Sequence, residues 1–114
     1  MPTRYYISLP DPKAARGHDA AFAFSAHGAD EFATQLQQAL RSDDLFQRWR
    51  AAQEDPDEVD GTLGATDPQA TVDGRQDHLR IDLVATTALP GSVFKHRLRL
   101  LAGSGWELRD VTAA

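Results

Sequence analysis

The chain contains no cysteine. That excludes disulfides, thiolate zinc sites, thiolate-held iron–sulfur clusters and cysteine nucleophiles. Stability must come mainly from packing, and nothing requires an oxidising compartment. Long apolar runs are missing too: no window approaches the ~20 residues of a membrane-spanning helix. Met1-Pro2-Thr3-Arg4-Tyr5 lacks the basic stretch and apolar core of a signal peptide. These absences lead to the expectation of a cytoplasmic protein with no membrane partner.

The usual chemical motifs fail one by one. His18, His27, His78 and His96 lie 9, 51 and 18 residues apart, so no helical His-x-x-x-His pair exists and no metal site is expected. Asp55 to Gly61 suggests a calcium loop. The pattern wants a carboxylate or amide at its fifth position, Gly at its sixth and Glu at its twelfth, where this chain has Val59, Asp60 and Thr66. Gly103-Ser104-Gly105 has Leu108 where a nucleotide fingerprint needs a third glycine. Ser92 and Ser104 lack the Gly-x-Ser-x-Gly frame of a nucleophile elbow. No cofactor and no catalytic residue is expected, and the protein reads as a non-enzyme.

What is present fits one domain. At 114 residues with 41% apolar content, the chain can build a single core. Its net charge of −5 is unevenly placed. Residues 1–53 balance six bases against six acids, residues 54–77 hold one base against eight acids, and residues 78–114 hold five bases against three acids. An acidic middle beside a mildly basic end argues against binding a phosphate backbone, so nucleic acid is not an expected partner.

Tyr5-Tyr6-Ile7 to Leu9 is β-prone and stopped by Pro10-Asp11-Pro12. Ala21 to Ser25, with Phe22 and Phe24 alternating, is a second strand candidate; either or both runs can open the sheet. Phe32, Leu36 and Leu40 recur every four residues, which predicts a helix over Gly28 to Arg41. Ser42-Asp43-Asp44 has helix-start chemistry and opens a second helix to about Gln53. The acidic stretch 54–68 reads as a long loop, with Val59 and Leu63 as its anchors.

Thr71-Val72 and Leu79 to Leu83 then predict a hairpin turning through Asp73–Asp77. Leu79, Ile81, Leu83 and Ala85 share one face of the second strand, while His78, Arg80, Asp82 and Val84 share the other. Ser92 to Ala102 admits two readings. Its Leu, Lys, Arg and Ala content favours a helix capped by Gly103, but Arg97 falls inside the apolar arc. The alternation of Phe94, His96, Leu98 and Leu100 would suit a strand. Trp106 to Val111 closes the chain as a strand.

The resulting expectation is an α+β domain spanning residues 1–114: a ferredoxin-like βαββαβ two-layer sandwich, with or without an extra N-terminal strand. Its antiparallel sheet would carry the helices on one face. Lys95, His96, Arg97, Arg99 and Arg109 form the one basic cluster and the candidate docking surface for a protein partner, with Trp106, Tyr5 and Tyr6 as possible aromatic anchors. Homodimerisation through the open sheet face is a corollary if that face is apolar. The competing expectation is a small enzyme or ligand binder using His78, Arg80 and Asp82 on that face.

Overall fold

The computed structural model describes residues 2–114. Strand β1 (Thr3–Leu9) leads through a long connection to helix α1 (Ala29–Arg41) and then α2 (Asp44–Ala51). The hairpin β2 (Thr71–Asp77) and β3 (Arg80–Thr87) follows, then helix α3 (Gly91–Ala102) and strand β4 (Glu107–Ala113). The sheet has the order β2-β3-β1-β4 with every neighbouring pair antiparallel. This is an α+β architecture.

Alternation in the strands decides which face the helices cover. Tyr5, Ile7 and Leu9 of β1 lie beside Ala85, Leu83 and Ile81 of β3, all buried, and they meet Phe32, Leu36 and Leu40 of α1 and Val93, Phe94 and Leu98 of α3. The rings of Tyr5 and Phe94 stack with centroids 4.2 Å apart, tying α3 to the centre of the sheet. Asp30 and Glu31 occupy the first turn of α1, where they oppose the positive end of the helix dipole. Ser92 to Ala102 is helical. It ends at Gly103, whose φ of 60° combined with ψ of −122° is readily adopted only by a residue without Cβ.

Three local expectations are corrected. First, Asp73–Asp77 is strand, and the hairpin turns instead at His78-Leu79, with His78 at φ 56° and Leu79 86% exposed at the tip. Gly74 serves a different purpose there. A Cβ on it would collide with the carbonyl oxygen of Ala29, so its bare backbone lets the start of α1 sit directly on β2. Second, Ala21 to Ser25 is not a strand. Phe22 and Phe24 are buried, but the backbone finds partners elsewhere: Phe24 N–H donates to the Leu101 carbonyl, and Arg16 donates to the carbonyls of Phe24 (3.0 Å) and Ala26 (2.7 Å).

Third, Asp43 precedes α2 but its side chain caps no backbone N–H; it accepts from the Gln47 side chain at 3.2 Å. The acidic connection, expected as a loop anchored by Val59 and Leu63, is tied down at several points. It contains short 3-10 turns at Pro56–Glu58 and Gly61–Gly64. Arg50 donates to the Pro56 carbonyl at 3.0 Å, and Asp67 accepts from the Thr87 hydroxyl and the Ala88 N–H, each at 2.8 Å. Val59 and Leu63 are half-buried against the body.

Candidate functional site

Helix α3 does not present its basic residues as one patch. Arg97 is fully buried, not splayed outward past its apolar neighbours. Its guanidinium donates to the carbonyls of Ala39, Leu63 and Ala65 and lies 5.9 Å from the centre of the Phe46 ring. Burial pushes its pKa down, partly offset by Asp43. Arg97 is therefore a tie between α1, α3 and the acidic connection. His96 is half-buried and meets the Trp49 ring edge to face, centroids 4.6 Å apart. Burial, then the charges of Arg99 and Arg97, hold its pKa below the ordinary histidine value. Lys95 is half-buried and Arg99 is exposed. Arg109 belongs to β4 and lines the opposite side of the molecule, on the sheet face away from the helices.

Arg99 has a setting that sequence alone did not reveal. It lies between two adjoining hollows and lines both, together with His18. One hollow, about 440 Å³, ends at Trp106; the other, about 250 Å³, ends at Trp49. The loop carrying His18 is brought there by Gly17, whose N–H donates to the Leu101 carbonyl and whose missing Cβ would strike the Leu100 carbonyl. Trp106 is pinned by its indole N–H donating to the Gly103 carbonyl at 3.0 Å. Among the described residues, Arg99 and His18 make no side-chain hydrogen bond or ion pair. Asp19 also borders the trough, but its carboxylate accepts from the Ala21 N–H at 2.9 Å. The trough thus offers an unengaged guanidinium and an imidazole between two indoles.

The open sheet face carries a second group. Register places Arg4, Tyr6 and Ser8 of β1 beside Thr86, Val84 and Asp82 of β3, with Asp73, Arg75 and Asp77 of β2 beyond. Polar residues outnumber apolar ones along this face, with Tyr6 and Val84 as its apolar members. His78, Arg80 and Asp82 do not converge. Arg80 pairs with Asp82 (3.0 Å) and Asp77 (2.5 Å), while His78 is out on the turn with a 95% exposed side chain beside Asp77. β4 pairs with β1 and not with β3, so Arg109 is not the cross-strand neighbour of Asp82. The expected turn over Asp73–Asp77 hides Asp73 and Arg75; their alternation with Asp77 is the signal that places all three on this face.

Among the described residues, no three His, Asp or Glu side chains are grouped as a metal ion would need, and no helix is long and apolar enough to cross a membrane. No protein-family model, curated protein or solved structure matches the chain.

Proposed function

We propose that the protein is a non-catalytic binding protein that docks on an acidic segment of a protein partner along the trough between Trp106 and Trp49. The observation that carries this reading is the position of Arg99, exposed and unengaged, lining one hollow with Trp106 and the adjoining one with Trp49, both indoles half-buried. Tryptophan and arginine are the side chains that dominate binding energy at protein interfaces, each offering a broad apolar surface beside a polar handle. The charge of Arg99 and the adjoining Lys95 selects an acidic partner. In the same reading the fold is a ferredoxin-like βαββαβ sandwich, which the strand order β2-β3-β1-β4 and the two crossover helices α1 and α3 support.

The test is capture by the full chain and by variants of the trough. Arg97 must be left alone, since its replacement would disturb the core. Lys95→Glu with Arg99→Glu, and separately Trp106→Ala, should leave the circular dichroism spectrum intact. Both variants should lose the captured protein, and a photo-crosslinker at Ser104 should label that protein in the otherwise unaltered chain. Equal capture by the Lys95→Glu/Arg99→Glu double variant or by Trp106→Ala, or crosslinks absent from Ser104, would overturn the reading.

A further inference from the structure

The sheet face away from the helices holds a cavity of about 540 Å³, lined chiefly by Tyr6, Asp73, Arg75, Asp82, Val84 and Arg109. That volume falls within the ~300–1,000 Å³ range of small-molecule sites. It extends from one edge of the sheet to the other, because Arg75 lies on β2 and Arg109 on β4. The two edge strands are about 14 Å apart, three strand spacings, which is within the combined reach of two arginine side chains extended over the face.

The arginines differ in what they are free to do. Arg80, which also borders the cavity, is held by Asp82 and Asp77, and it neutralises Asp82 in turn. Arg75 has no ion-pair or hydrogen-bond partner among the described side chains. Arg109 meets only Glu107, at 3.3 Å, with both side chains more than half exposed, and such a pair is easily exchanged. The β1–β4 register shifts between Tyr6, opposite Asp110, and Ile7, opposite Leu108, so Arg109 is the extra residue of a bulge. Bulges re-aim a side chain out of strict alternation, and this one directs Arg109 over the open face.

We infer that this face binds a small molecule carrying a carboxylate or phosphate, its oxyanion held by Arg75 and Arg109 and its apolar part laid on Tyr6 and Val84. Guanidinium groups suit this role because their planar fork matches both oxyanions bidentately. Asp73 sets the second requirement. Its carboxylate repels a bare anion, so the preferred ligand also carries a hydroxyl or ammonium donor. The site is independent of the trough beside α3, which lies on the other side of the molecule.

Isothermal titration of the full chain at low salt, with inorganic phosphate in one arm and citrate in the other, tests the inference. Saturable binding in either arm is expected, and the arm that saturates identifies the oxyanion class. Arg75→Ala and Arg109→Ala should each weaken it about tenfold or more, the scale of one lost charge-assisted contact. Asp73→Asn should tighten it several-fold, and Gly61→Ala, with open space for the added methyl group, should leave it unchanged. Failure of both ligands to saturate the folded protein, or equal binding by the Arg75→Ala/Arg109→Ala double variant, overturns the inference. Should an arginine variant misfold, Asp73→Asn decides alone: tighter binding supports the site, and unchanged binding overturns it.

Discussion

The guanidinium of Arg97 donates to the main-chain carbonyl of Ala65 at 2.5 Å, across a sequence separation of 32 residues. A charged side chain inside the core is thus what fastens the acidic connection to α3. The carbonyls of Ala39 and Leu63 complete its set of acceptors. Arg97→Met keeps most of the volume but removes every donor, leaving the buried Ala39 carbonyl and the part-buried carbonyls of Leu63 and Ala65 without partners. Urea unfolding should show a loss of roughly 3 kcal/mol, with residues 54–68 becoming sensitive to limited proteolysis. A midpoint equal to that of the native chain would mean the carbonyls do not depend on Arg97.

His96 predicts a pH dependence with a definite sign. Its folded pKa lies below the ordinary value of 6.5, from burial first and then from Arg99 and Arg97. As pH falls below about 6.5, the unfolded chain takes up a proton that the folded chain resists, so stability falls until the folded pKa is passed. Urea midpoints measured from pH 7.5 down to pH 5 should decline in the native chain. The slope should be shallower in His96→Phe, which keeps an aromatic edge against Trp49. Parallel slopes in the two proteins would assign the decline to other groups.

What the sequence made legible follows from how locally each signal is encoded. The four-residue recurrence of Phe32, Leu36 and Leu40 needs no tertiary knowledge, and α1 is where it points. The ambiguity over 92–102 resolves as helix, and the residue that counted against that reading, Arg97, is accommodated by carbonyls from α1 and the acidic connection. Those partners lie 32 to 58 residues away, beyond any local pattern. Phe22 and Phe24 alternate as strand residues do and are both buried, but Arg16 and the end of α3 supply the backbone partners that a strand would have needed. At the candidate site Arg99 and the nearby Trp106 are visible in the sequence, while Trp49, fifty residues before Arg99, is brought beside it only by folding.

Gly74 separates turn chemistry from close approach. A Cβ there would meet the Ala29 carbonyl oxygen and lie 3.2 Å from the Ala33 Cβ. Gly74→Ala should therefore lift α1 from β2 and cost about 1–3 kcal/mol, the usual scale of overpacking. Gly61→Ala, with nothing within 4 Å of the added atom, is the control and should change little. Similar thermal midpoints for both variants would show that α1 shifts freely to admit the methyl group.

Asp67 joins the acidic connection to the end of β3. One carboxylate oxygen accepts from both the Thr87 hydroxyl and the Ala88 N–H, and the other accepts from the Gln69 N–H at 3.0 Å. These bonds, the one from Ala88 foremost, hold its pKa below the usual 3.8. The stabilisation is complete above the unfolded value and disappears as pH falls through the folded one. Asp67→Asn retains one acceptor oxygen and replaces the other with a donor, so it cannot satisfy both sides of the junction. It should lose about 1 kcal/mol or more at neutral pH and show a smaller further loss on acidification below pH 4 than the native chain. An acid limb of identical steepness would show that Asp67 is not among the carboxylates whose protonation loosens the fold.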